Sequence, residues 1–268
     1  MSPAEPSSTT AAPPIALPRN PAWLVSLGNV FFKTRDALFP VVLIGLITLS
    51  TSAIPHDDPA QARLFDWVGV VIATLGQVLR IAVVGYRYIV RGGRNREVYA
   101  EGLVTTGFFT LSRNPLYVGN LLILFGLHLI WHSTLMLAIG IPFFLLGYRA
   151  IVAAEESYLG RQYGNEYAAY CQRTPRWWPR LGGMRAATAG MTFNWRRVIL
   201  KEYGSAAYWM AGAALLLGLK ARRYAAMQGT PFSWWPYVAA IGVVAVLWGV
   251  ARWLKKSKRL REDGGAAG

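Results

Sequence analysis

The stretch Gly102-Leu103-Val104-Thr105-Thr106-Gly107-Phe108-Phe109-Thr110-Leu111-Ser112-Arg113-Asn114-Pro115-Leu116-Tyr117-Val118-Gly119 is too polar in its first part to cross a membrane, and it runs without a break into an apolar segment at Leu116. Asn114 suits a helix cap, and Pro115 suits the first helical turn, where its missing N–H costs nothing. Arg113 therefore stands at the threshold of an apolar helix. At the end of the next apolar run come two carboxylates, Glu155-Glu156. Acidic groups at a helix C-terminus oppose the macrodipole, so a pair of them calls for a partner such as Arg113, Arg149 or a bound ligand. Arg113 and the two glutamates are expected to form one site at a membrane surface. The plainer alternatives are an interfacial Arg before a helix start and a solvated extension of the helix that carries the glutamates.

The composition around this stretch is that of a membrane protein. Hydrophobic residues make up 54% of the 268 residues, charged residues 15%, and the mean hydropathy is +0.30. Soluble domains carry about 25% charged residues. The formal net charge of +15 marks cytoplasmic loops and anionic headgroups before it marks nucleic acid, because the basic residues flank apolar runs and form no stripe. The single cysteine, Cys171, excludes an intrachain disulfide and a Cys-based metal cluster. His56 and His132 lie in turns on the far side and His128 within a span, away from Arg113 and the glutamates, and no metal site is expected. No Gly-rich phosphate loop follows a strand.

The expected architecture is all-α, a polytopic membrane bundle of about six transmembrane helices. Residues 1–21, rich in Pro, Ser, Thr and Ala, form a disordered tail, and there is no signal-peptide pattern. Residues 22–36 suit an interfacial segment. Spans are expected at Ala37–Ile54, Phe65–Val90, Leu116–Trp131, Thr134–Ala154, Ser205–Leu219 and Ser233–Leu254. Arg80, inside the second span, should face the bundle. The turn His132-Ser133 makes the third and fourth spans a hairpin, and Pro142 should kink the fourth. Residues 22–182 form the core, residues 183–254 add C-terminal helices, and residues 255–268 are a basic tail. The distribution of Lys and Arg puts both termini and the site in the cytoplasm, with Lys220, Arg222 and Arg223 on the wrong side.

Beyond Glu155-Glu156, Tyr163, Tyr167 and Tyr170 share one helical face before Cys171-Gln172-Arg173-Thr174-Pro175. Together with Leu103-Val104-Thr105-Thr106-Gly107, Phe109, Arg113-Asn114-Pro115-Leu116-Tyr117-Val118-Gly119 and Tyr163-Gly164, this ordered set resembles the integral-membrane methyltransferases that include isoprenylcysteine carboxyl methyltransferase and the phospholipid methyltransferases. The resemblance covers about residues 65–180 and ends in a Pro-Arg-type segment. Asn114 and Glu101 stand where that family often has His, and Phe109 stands where it often has Tyr.

The resemblance implies S-adenosyl-L-methionine bound at the cytoplasmic face. Its contacts would come from Glu101, Gly102, Leu103, Val104, Gly107, Phe109, Asn114, Pro115, Leu116, Tyr117 and Glu155. It implies catalytic roles for Arg113, Glu155 and Glu156, with Arg149 and Arg173 orienting a substrate carboxylate or lipid phosphate. The implied partner is a lipid or lipid-like substrate drawn from the bilayer, and no nucleic acid. Two other classes stay open: a membrane reductase of the sterol type using NADPH, suggested by Tyr170-Cys171-Gln172-Arg173-Thr174-Pro175, and a non-enzymatic membrane scaffold.

Overall fold

The computed structural model describes residues 17, 19–50, 59–87 and 102–257. Among them there is no strand. Helix α1 is Ala22–Leu49, α2 Pro59–Tyr86, α3 Pro115–Trp131, α4 Ile141–Arg173, α5 the short Met184–Thr188, α6 Trp195–Gln228 and α7 Trp235–Lys256. Among the described residues three stretches are long and apolar enough to cross a membrane: Ala60–Tyr86, Met136–Arg173 and Trp235–Lys256. The apolar α3 is shorter. Helices α1 and α6 reach 28 and 34 residues but carry several charges each. The described residues form an all-α bundle with six long helices.

The boundaries differ from those expected in instructive ways. Residues 22–36 and the first expected span join into one helix, because nothing between Ala22 and Asp36 breaks it. Residues 51–54 of that span, residues 88–90 of the second, and the basic residues Arg91, Arg94 and Arg96 lie outside the described residues. Pro142 falls in the first turn of α4, directly after a π turn at Met136–Gly140. The helix runs continuously from the π turn into α4, so the ladder adjusts directly before the proline, which can donate no N–H to it. A second irregularity in α4 comes at Gly164, with φ 48° and ψ −119°, a conformation that a side chain resists.

Helices α2 and α3, α2 and α6, and α1 and α4 pair antiparallel. Helices α2 and α3 approach closely through facing glycines: a Cβ on Gly69 would lie 2.6 Å from the Gly126 carbonyl oxygen, and one on Gly76 would lie 2.6 Å from that of Gly119. Small residues at such positions let backbones pack where the solvent offers no hydrophobic drive. Helix α1 packs on α4 through Phe31, Phe39, Phe144 and Tyr148, whose rings meet edge to face. His132, left-handed at φ 48°, caps α3 and turns the chain back into the π turn.

The charges inside the bundle are paired. Arg80 of α2 makes a two-point contact with the buried Glu202 of α6, Nε to Oε2 and Nη2 to Oε1 both at 2.8 Å. It faces the bundle, as its cost in lipid demands. At the other end of the same two helices Lys220 pairs with Asp66, and Arg223 stacks over Trp131 at 5.2 Å. Two of the basic residues expected on the wrong side are thus accommodated, Lys220 by a carboxylate and Arg223 by an aromatic face.

Candidate functional site

Residues 102–114, ahead of α3, fold back onto the end of α4. Residues 103–105 are irregular, Gly107 takes φ 64°, and a single 3-10 turn covers Gly107–Thr110. Phe109 is buried among Val83, Phe108 and Leu111, and its carbonyl accepts a 2.7 Å hydrogen bond from the Tyr170 hydroxyl. The next residues are stitched to the segment after α4. The Arg113 amide donates to the Pro175 carbonyl at 2.8 Å, the Ser112 hydroxyl to Trp177 at 2.8 Å and the Asn114 side chain to Arg176 at 3.0 Å. Asn114 occupies the cap position of α3, but its side chain makes no capping bond. That is a correction: the amide is spent on holding the 176 carbonyl.

The two carboxylates have different partners. Glu156 is a hub. Its Oε1 accepts from Arg113 Nη1 at 2.8 Å and from Arg176 Nε at 2.9 Å, and its Oε2 from Arg176 Nη2 at 2.5 Å and Asn20 Nδ2 at 3.1 Å. The bidentate partner is thus Arg176, while Arg113, the expected partner, contributes one nitrogen. Arg113 instead divides Nη1 between Glu156 and the Cys171 sulfur at 2.9 Å. Burial alone would lower the Arg113 pKa, and the adjacent Glu156 charge, with Cys171 and Tyr167, outweighs it, so the guanidinium pKa is raised. Its Nε is buried without a hydrogen-bond partner among the described residues.

Glu155, one residue earlier, points to another neighbourhood. It accepts the Tyr117 hydroxyl at 2.6 Å, and Arg35 Nη1 donates to that same hydroxyl at 3.1 Å. Tyr117 sits in the first turns of α3, next to Pro115 and Leu116, and its ring lies 5.3 Å from that of Tyr148. The structure therefore brings together Arg113, Glu155, Glu156, Asn114 and Tyr117. Leu103 packs near Tyr167 and Tyr170, and Val104 near Phe109. Gly102 is exposed, and Glu101 lies outside the described residues. Arg149 reaches the hub through Asn20, donating to its carbonyl oxygen at 3.3 Å. Arg173 is exposed at the end of α4.

Three participants escaped the sequence reading. Arg176 stands in the Pro-Arg segment, three residues after the expected Arg173. Arg35 lies inside the segment 22–36, whose composition signals only an interface. Asn20 gave no signal at all, because its segment reads as a disordered tail.

Beside the hub a cavity of about 750 Å³ opens between α3 and α4. Its wall is apolar, built from residues such as Leu121, Phe125, Phe144 and Leu145, with Arg149, Trp177 and Trp178 also lining it. Such a chamber takes a hydrocarbon chain, and Arg149 adds a charged group that can meet an anionic head. Among the described residues no group of three or more His, Cys, Asp or Glu side chains is placed to hold a metal ion.

Residues 65–166 match the family model for phospholipid methyltransferases. Two curated proteins are similar in sequence. The cobalt-zinc-cadmium resistance protein CzcN of Cupriavidus metallidurans is 35% identical over 119 residues, 43% of this chain. The nickel-cobalt-cadmium resistance protein NccN of Alcaligenes xylosoxydans xylosoxydans is 32% identical over 150 residues, 54% of this chain. The matches span 52% and 64% of those relatives' own lengths. No solved structure matches.

Proposed function

We propose that this chain, whose residues 65–166 match the phospholipid methyltransferase family model, is an integral-membrane methyltransferase that uses S-adenosyl-L-methionine and acts on a lipidic amphiphile. The observation that carries the proposal is the pairing of two buried, differently engaged carboxylates with an apolar chamber of about 750 Å³ that starts near them at Val118 and Arg149 and runs along α3 and α4 to His128 and Ile141. The donor set suits the amino-acid end of the cofactor. A carboxylate such as Glu155 meets an ammonium or a sulfonium, and the buried Arg113 Nε offers a charged N–H to a carboxylate. Gly102, Leu103, Val104, Gly107, Phe109 and Asn114–Tyr117 supply the rest of the wall.

When bound, the cofactor supplies an electrophilic methyl group on a sulfonium and leaves as the neutral thioether. The protein's share is alignment and exclusion of water. Phe109, Tyr117 and Tyr148 close the apolar side. A carboxylate acceptor needs no base. An amine acceptor must lose a proton, and Glu155 is the group to take it, because Glu156 is committed to Arg113, Arg176 and Asn20. Arg149 orients the acceptor's anionic part while the tail lies between α3 and α4. Both termini and the site face the cytoplasm in this reading, on the distribution of Lys and Arg.

Calorimetry of S-adenosyl-L-methionine or S-adenosylhomocysteine against the purified full chain tests the proposal, and absence of binding rejects it. Incubation with labelled methyl donor and a native lipid extract then divides the acceptors: base-labile label marks an ester, stable label an amine. The names of the two relatives favour a second reading at the level of physiology, a part in metal resistance. Growth on cobalt and cadmium with and without the chain tests that reading.

A further inference from the structure

We infer that Glu202 of α6 is a positioning residue for the site, and that α6, outside the segment matched by the family model, is a working part of it and more than an added membrane anchor. The inference rests on the proposed function in one respect: it takes the Tyr117–Glu155 pair as part of the cofactor wall.

The contacts form a continuous path. Glu202 is buried and takes both ends of the Arg80 guanidinium at 2.8 Å. Gln77 donates to the same carboxylate at 3.1 Å, and its own carbonyl oxygen accepts from the Trp209 indole of α6 at 3.0 Å. The remaining Arg80 nitrogen, Nη1, donates to the Asn120 carbonyl oxygen of α3. The Asn120 side chain also lies beside the Tyr148 hydroxyl of α4. The Arg80 stem passes across Gly119, where a Cβ would come within 2.6 Å of its Cγ. Asn120 lies one turn after Tyr117, and the Tyr148 ring lies 5.3 Å from that of Tyr117, tilted by 47°. The buried anion of α6 thereby sets the position of a cation whose other hand holds the very turns of α3 that present Tyr117 to Glu155.

The segment 65–166 contains Arg80, Asn120, Tyr117, Tyr148 and Glu155, but the carboxylate that fixes Arg80 comes from outside it. A guanidinium buried in a bundle without that carboxylate would seek another acceptor or water, and Asn120 would move with it. A second tie between α2 and α6, Lys220 to Asp66, lies at the far end of the bundle and serves as the internal control.

The experiment uses the full chain in detergent, with Glu202→Gln, Glu202→Asp and Lys220→Met. Thermal unfolding and S-adenosylhomocysteine affinity are measured for each. Glu202→Gln is expected to weaken binding about tenfold, since small misplacement of a site wall is costly. Glu202→Asp is expected to recover part of that loss, and Lys220→Met to lower the unfolding midpoint with affinity within about twofold of wild type. Unchanged affinity in Glu202→Gln, or parallel losses of affinity and midpoint in Glu202→Gln and Lys220→Met, overturns the inference. A double-mutant cycle of Glu202→Gln with Tyr117→Phe, read by unfolding midpoint, needs no cofactor. Non-additivity supports the path and additivity overturns it, even if the wild type binds no S-adenosylhomocysteine and the proposed function fails.

Discussion

Arg176, three residues beyond the end of α4, grips Glu156 with two nitrogens, Nε at 2.9 Å and Nη2 at 2.5 Å, while Arg113 approaches the same carboxylate with one. This contact ties the loop after α4 to the helix itself. It also brings Arg176 Nη2 to 3.4 Å from the Asn20 carbonyl oxygen, which Arg149 shares. One glutamate therefore organises three separate parts of the chain.

The hub should behave as a structural unit. Glu156→Ala leaves two guanidiniums facing each other in a largely buried site, and breaking a buried pair this way costs about 3–5 kcal/mol. Thermal or denaturant unfolding in detergent should show a large loss, whereas Glu155→Gln should leave the midpoint close to wild type and abolish cofactor binding. Equal effects of the two substitutions on stability would contradict the division of roles.

Arg176→Ala and Arg173→Ala separate the observed hub from the expected one. Arg176→Ala should destabilise strongly, because it removes both bonds of a charge-assisted fork. Arg173 is exposed, and its substitution should stay within about 0.5 kcal/mol of wild type. The pair of unfolding curves decides it.

The helix contact through glycines is tested by Gly76→Ala. The new Cβ would lie 2.6 Å from the Gly119 carbonyl oxygen, which cannot yield without shifting α3, so a loss of about 1–3 kcal/mol is expected. Gly45→Ala, with nothing within 4 Å, is the matched control and should be neutral or slightly stabilising. Similar losses at both positions would show that helix propensity, and not close approach, sets the cost.

Filling the cavity should separate lipid from cofactor. Leu121→Trp adds bulk to the apolar chamber between α3 and α4 while leaving the Glu155–Tyr117 contact untouched. Methyl transfer to a lipid acceptor should fall by about tenfold or more, and S-adenosylhomocysteine affinity should hold. Loss of cofactor affinity in this variant would place the cofactor, and not the lipid, in the chamber.

Hydropathy and local signals by themselves determined that the chain is a helical membrane bundle, where α3 begins, and that Arg113 and the glutamates belong together. These follow from short-range physics: apolar run length, proline at a helix start, and the cost of charge near lipid. Charge cost also predicted that Arg80 faces inward. Which partner each charge takes was decided only by the tertiary structure. Glu155 and Glu156 are adjacent in sequence, yet one meets a tyrosine on α3 and the other two arginines from separate loops, since successive helical residues project about 100° apart. Asn20, Arg35 and Glu202 carry no local mark of their roles. Their contacts arise from antiparallel packing that joins positions more than 80 residues apart, a relation that no window along the chain contains.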